Sequence, residues 1–492
     1  MKYISVQTNN GTFSGFSGNG VHHFYGIPYG KARRFHKAEE VVLDKPYDAF
    51  VFGYTCPNMK KEISDGDFLV PRGFYPASEE CLNLNIITPD TDNKKGVVVW
   101  IHGGEYSYGS ANSSKAVDGE RIAQEGFVFV SINHRLNILG FFDLSEYGEE
   151  YKESAMLGIE DLALALRWIK KNIEAFGGDK DNITLTGNSG GGGKIIALMQ
   201  SNIEEGLFHR AVISSGHISR IVGDAQGTMK PLVDAMIEKL NLTDIKELET
   251  VSYEDLSQAY LELKKQYPQC QAERLKKNDF YMGNPLVHGF KTHSIPILTG
   301  NTYAEFTSLM MKSAPLFDDD QNVKLLNMMY GSDAATVISE YKKTYPYIAL
   351  RDLLTIDTMF RYETIQFIDR YVREGGTIYN YLFEGVFDYH GSLNAWHCAD
   401  LPYLFHNTDK IPICDTVNRE TMESEMFNMF TLFARDGNPG FNNWREGKFV
   451  TKVVGDNTAV KENHGIELHN TIGKHPEGLF ILGKACGISP QM

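Results

Sequence analysis

Thr184-Leu185-Thr186-Gly187-Asn188-Ser189-Gly190-Gly191-Gly192-Gly193-Lys194 decides the architecture, because it reads as a strand that runs into a glycine cluster and leaves it as a helix. Its centre, Gly187-Asn188-Ser189-Gly190-Gly191, fits G-x-S-x-G. In such an elbow the chain turns so tightly that the residues two places either side of the serine must be small, and the hydroxyl is exposed above the sheet. The helix that follows aims its first amides at the same point. A phosphate loop would need glycine at Asn188 and Ser or Thr at Ile195, and a dinucleotide fingerprint fails at Ile195 or Ile196 in either frame.

Working outward, short apolar runs at 97–101, 127–132, 183–186, 211–213, 295–299 and 378–383 alternate with helical patterns. Continuous apolarity marks strands buried on both faces, as in a parallel sheet. Leu162, Ala165, Leu166, Ile169, Ile173 and Phe176 recur at three- and four-residue steps, which predicts an amphipathic helix ending near Gly177-Gly178. These strand-helix-strand units define an α/β sheet with helices on both faces. From about residue 225 to 375 the texture turns to charged helices, including a capping box at Ser252 and Asp255, and predicts a helical cover over the sheet edge. No linker or repeat divides the chain, so residues 1–492 are expected to form one domain.

Upstream, the strand at 97–101 ends in His102-Gly103-Gly104-Glu105-Tyr106. Consecutive glycines after a buried strand let backbone amides approach an oxyanion, and Gly190, following the serine, supplies another.

Composition bounds the rest. With 48 Lys+Arg against 63 Asp+Glu the 492-residue chain carries a net charge of −15, and a nucleic-acid partner is excluded for want of a basic surface. No apolar run approaches the roughly 18 residues of a membrane span. The N-terminal segment lacks a basic region followed by an apolar core, so a cytoplasmic location is expected. Six cysteines are too few for a disulfide scaffold and have no zinc-ligand spacing, so neither metal nor cofactor is expected.

Taken together these segments resemble the type-B carboxylesterases, the α/β-hydrolases that include cholinesterases and bacterial para-nitrobenzyl esterases. Phe24-Tyr25-Gly26-Ile27-Pro28-Tyr29, Ser78-Glu79-Glu80-Cys81-Leu82-Asn83-Leu84-Asn85, Asn133-His134-Arg135, Leu139-Gly140-Phe141, Phe176-Gly177-Gly178-Asp179, Ser214-Ser215-Gly216 and Gly437-Asn438-Pro439 fall in the family's order. The resemblance implies an α/β-hydrolase fold and hydrolysis of small-molecule carboxylic esters through an acyl-enzyme. It implies Glu305, five residues beyond Gly300, as the triad acid, and His397, in His397-Cys398-Ala399-Asp400-Leu401-Pro402-Tyr403, as the base. Ser189, Glu305 and His397 then stand in nucleophile-acid-base order, with Gly104, Glu105 and Gly190 as oxyanion donors.

Three positions depart from the family: Asn188 where glutamate is common, Glu105 where glycine or alanine is usual, and Phe306 where glycine usually follows the acid. Cys56 and Cys81 stand where the family often closes a disulfide, and reduced thiols are expected here. Tyr106, Tyr108, Phe360 and Trp396 are candidates for the gorge wall or for packing. Two alternatives share the fold: a catalytically silent adhesion module, and an amidase or acyl transferase using the same triad.

Overall fold

The computed structural model describes residues 2–59, 69–217, 222–270, 272–308, 318–389 and 392–485. The strands along its large sheet, apart from the two-residue Tyr47–Asp48 that pairs beside the second, are β1 (Lys2–Thr8), β2 (Gly11–Gly18), β3 (Val21–Pro28), β4 (Asn83–Thr88), β5 (Lys95–Ile101), β6 (Val128–Ile132), β7 (Gly178–Asn188), β8 (Arg210–Ser214), β9 (Ile297–Thr302), β10 (Ile378–Phe383), β11 (Val450–Val454) and β12 (Ala459–Glu462). They pair in the order β1-β2-β3-β4-β6-β5-β7-β8-β9-β10-β11-β12. All pairs from β6 to β11 are parallel, and antiparallel strands close both ends. The inversion between β5 and β6 makes a topological switch beside the centre, where open α/β sheets build their sites.

The unbroken apolarity of β5 has a direct cause. Val97, Val99 and Ile101 pack into a core with Leu162, Leu166 and Ile169 of helix α1 (Leu157–Asn172), on one side of the sheet. Val98 and Trp100 pack on the other side with Phe405, Met426 and Phe430. Each fully buried side chain of this size contributes roughly 1.5–3 kcal/mol, so neither face of the strand tolerates a polar residue. Helix α1 passes through a short 3-10 turn, Ile173–Phe176, before Gly177 ends it with φ 79°. Helix α2 (Gly190–Met199) starts directly from the end of β7.

The region 225–375 is largely helical, as its texture predicts, but it makes two separate packings. Helices α3 (Lys230–Lys239) and α4 (Tyr253–Leu263) enclose Leu232, Met236, Leu256 and Tyr260 with Ile138 and Phe142. Helices α5 (Asp319–Tyr330) and α6 (Ala334–Thr344) enclose Leu326, Tyr330, Val337 and Tyr341 with Leu468 and Ile472. Strand β9 is a central strand between β8 and β10, and helix α7 (Phe360–Arg373) packs Phe367, Ile368 and Tyr371 into the sheet's own core. At the start of α4, Ser252 accepts from the Asp255 amide, but the Asp255 carboxylate takes the Ser252 hydroxyl instead of its backbone amide. The reciprocal box expected there is instead made by Asp318 with Gln321 at α5. Among the described residues no helix is long and apolar enough to cross a membrane.

Candidate active site

Ser189 is the single residue between β7 and α2, with φ 56° and ψ −126°. An L-residue adopts this backbone only under compulsion, at roughly 1–3 kcal/mol. Compulsion comes from the surroundings. The Ser189 amide donates to the Ser214 carbonyl at 2.8 Å, and the Gly193 amide donates to the Ser189 carbonyl at 3.0 Å. A Cβ on Gly187 would lie 2.6 Å from the Gly191 carbonyl carbon, and one on Gly191 would lie 2.1 Å from the Ile101 carbonyl oxygen. Both flanking positions therefore exclude any larger residue.

The end of β5 lies against this elbow. A Cβ on Gly190 would stand 2.4 Å from the Glu105 amide nitrogen, so these two backbone segments touch above the sheet. Gly104 has φ 88° and a Cβ there would meet the Tyr108 carbonyl oxygen at 2.2 Å, while Glu105 itself holds φ 52°. Gly104, Glu105 and Gly190 thus stand close together above the sheet.

Glu305 and His397 arrive on two loops laced by backbone bonds. The His397 amide donates to the Glu305 carbonyl at 2.9 Å, and the Ala304 amide donates to the Ala395 carbonyl at 3.0 Å. His397 Nδ1 lies 2.5 Å from Glu305 Oε2. The other carboxylate oxygen accepts from the Ser215 hydroxyl at 2.6 Å and from the Thr302 amide at 2.9 Å. With these donors both oxygens of a buried anion are satisfied, which fixes the carboxylate's orientation. Burial pushes the imidazole of His397 down, but the Cys398 sulfur and the Glu305 carboxylate outweigh it and hold His397 well above the ordinary histidine value.

Several contributors were not legible as such. Ser215 appears in the sequence only within Ser214-Ser215-Gly216, yet its hydroxyl holds Glu305. Behind it, Tyr381 joins the Asp400 carboxylate at 2.6 Å to the Ser214 hydroxyl at 2.7 Å. The Cys398 thiol donates to Asn188 Oδ1 at 3.0 Å, linking the neighbour of His397 to that of Ser189. Phe306 packs its ring 4.4 Å from the His397 ring, and Phe360 lies at 5.0 Å. Trp396 and Tyr106 are instead core residues, 1% exposed, packed on Phe387 at 4.6 Å and on Phe141 at 4.8 Å. Phe360 is likewise a core residue, fully buried, so three of the four wall candidates serve packing.

The parallel sheet, the serine elbow and the histidine beyond the sheet's C-terminal edge define an α/β-hydrolase. Comparison with known proteins narrows the class. The carboxylesterase family's profile matches residues 2–452, and this chain belongs to that family. It is 30% identical over 478 residues to the para-nitrobenzyl esterase of Bacillus subtilis (strain 168), covering 90% of this chain and 92% of that one. It is 28% identical over 471 residues to the phenmedipham hydrolase of Pseudarthrobacter oxydans, covering 88% and 90%. A solved Clostridium hathewayi esterase, described as hydrolysing aliphatic aromatic polyesters, superposes with a TM-score of 0.90 at 34% identity, over 96% of this chain and 99% of that one. The protein is a carboxylic-ester hydrolase.

Proposed function

We propose that the ester is cleaved through an acyl-enzyme, with Ser189 as nucleophile, His397 as general base and Glu305 as its orienting anion. The observation that carries this reading is the strained, half-exposed Ser189 backbone standing with the 2.5 Å bond between His397 and Glu305. His397 Nε2, the nitrogen that would take the Ser189 proton, is buried and has no hydrogen-bond partner among the described residues. Glu305 fixes the tautomer by accepting from Nδ1 and opposes the positive charge that forms on the ring. As Ser189 Oγ bonds to the ester carbon, the amides of Gly104, Glu105 and Gly190 receive the developing oxyanion. His397 then protonates the leaving alcohol. Water, deprotonated by the same nitrogen, releases the acid.

The substrates proposed are neutral esters with an apolar or aromatic part, since the partly exposed Phe306 packs against the base. That class agrees with the para-nitrobenzyl esters and aliphatic aromatic polyesters named for two of the relatives. The test is labelling by a fluorophosphonate, located by mass spectrometry, with Ser189→Ala and Glu305→Gln as variants. Modification at Ser189, and loss of at least a thousandfold in ester turnover in Ser189→Ala, are expected from losing a triad nucleophile. Turnover retained in Ser189→Ala names another nucleophile. A panel of matched ester, thioester and amide substrates decides between an esterase and an amidase or acyl transferase.

A reducing, cytoplasmic setting is proposed from Cys56 and Cys81, which are both free and fully buried, Cys56 Sγ accepting from the Leu136 amide at 3.3 Å. Titration of the denatured chain should find all six thiols. Four would mean a disulfide.

A further inference from the structure

Lys194 is wholly buried, yet it lies in the first turns of α2 and takes no part in the chemistry above. Its Nζ donates to the carbonyl oxygen of His102 at 3.0 Å. Around it stand the Tyr106 ring, 6.0 Å from Nζ, the stacked rings of His102 and His134, and the Cys56 thiol. Among the described residues no carboxylate forms an ion pair with it. A buried ammonium without a counter-charge is destabilising, so its retention needs a reason other than stability. Burial pulls the lysine down to about 7, and it in turn helps push both histidines further down.

The geometry supplies the reason. The oxyanion donors come from two elements, Gly104 and Glu105 from the loop after β5 and Gly190 from the start of α2. Close approach of these elements requires glycine along the helix: a Cβ on Gly190 would strike Glu105, and one on Gly191 would strike Ile101 and His102. Four successive glycines, Gly190 to Gly193, therefore present a smooth face that has no side chain to hold the loop in register. Lys194 is the first residue of α2 that has one. It stands four residues after Gly190, on the same helix face, and helix side chains lean back toward the N-terminus. Its amine reaches across to the carbonyl of His102, the residue from which Gly103, Gly104 and Glu105 depart.

We infer that Lys194 is a positioning residue that ties the two halves of the oxyanion hole together through the His102 carbonyl. Charged or neutral, the amine has a hydrogen to donate. When protonated it also places a positive charge behind the amides, where negative charge develops. The inference rests on the oxyanion reading given above.

Lys194→Met keeps the length and removes the donor and the charge. The expected result is a separation of stability from catalysis. Thermal stability stays equal or rises, KM stays within threefold, and kcat falls at least thirtyfold. Affinity for a trifluoromethyl ketone, which forms a tetrahedral oxyanion on the serine, falls by the same factor as kcat/KM, while affinity for the product carboxylic acid is unchanged. A lysine that serves only folding would give the opposite pattern, a lower melting temperature with unaltered kcat per folded molecule, and that result overturns the inference. If Lys194→Met does not fold, Lys194→Leu, which also has no donor, is read on the same ketone: at least tenfold weaker binding at constant KM supports the tether, and wild-type binding removes it. Labelling of wild-type Ser189 by the ketone is the control that separates the two readings. If Ser189 is not labelled the oxyanion assignment itself fails, whereas labelled Ser189 with full ketone affinity in the variants overturns only the role of Lys194.

Discussion

Asn188 and Glu105 are where the chemistry of individual residues is most exposed to test. Asn188 Oδ1 accepts from the Cys398 thiol, next to His397, the proposed base. A carboxylate in its place would add negative charge close to His397 and favour the imidazolium, which cannot act as base. In Asn188→Glu the acid limb of the kcat/KM profile should therefore move to higher pH, by about half a unit or more for an added interaction near 0.7 kcal/mol. A limb that stays or falls contradicts the geometry. Glu105 carries a negative side chain beside the amide proposed to receive the oxyanion. At 5 Å and an effective dielectric near 20 such a charge would oppose the oxyanion by roughly 3 kcal/mol, about a hundredfold in rate. Glu273, however, has its carboxyl pushed up by burial and then by Glu105, so these two carboxylates lie near one another. Glu105→Ala should change neutral-ester turnover less than fivefold. A gain near a hundredfold would instead mean that Glu105 faces the reacting atoms.

At the scale of elements, the loop after β8 makes a packing contact with a titratable core. His217 is fully buried, with Nε2 2.8 Å from Thr299 Oγ1 on β9 and its ring 4.0 Å from Phe367 on α7. Burial pushes it down to about 3. Below its unfolded value near 6.5 the unfolded chain takes a proton that the folded chain refuses. Its contribution is present in full above that pH and is lost progressively as pH falls toward 3. His217→Gln, which keeps a polar partner for Thr299 and cannot titrate, should gain about 2 kcal/mol relative to wild type between pH 7.5 and pH 5.0. Urea unfolding of both proteins at the two pH values measures this, and a pH-independent difference would falsify it. The helix caps tell the same story from the other side. Ser-x-x-Asp at 252–255 looks like a box in sequence yet does not close, because the Asp255 carboxylate takes the Ser252 hydroxyl, whereas Asp318 and Gln321 do close one.

Across the whole molecule, Arg135 and Asp161 join the loop after β6 to α1. The guanidinium donates twice to the carboxylate, at 2.8 and 2.7 Å, and a third time to the His36 carbonyl at 2.7 Å. Both residues are buried, so Asp161→Ala leaves an uncompensated cation inside the protein, at about 3–5 kcal/mol. Chemical denaturation should show that loss with ester turnover of the folded enzyme preserved; a loss below 1 kcal/mol would mean the pair is open to water. The sheet, α1 and the elbow were legible in sequence because each rests on a local rule: two-faced burial gives continuous apolar runs, a helix stripe repeats at three and four, and a turn with no room for Cβ demands glycine; Glu305 and His397 follow no such rule and were reached only through the family resemblance. Ser215 on Glu305, Phe306 against His397, the division of the cover into two packings, and Lys194 beneath the loop after β5 were decided by tertiary structure. Each joins residues tens to hundreds of positions apart or depends on which way a side chain faces, and a hydroxyl, a ring or an amine carries no local signal of the partner that folding brings to it.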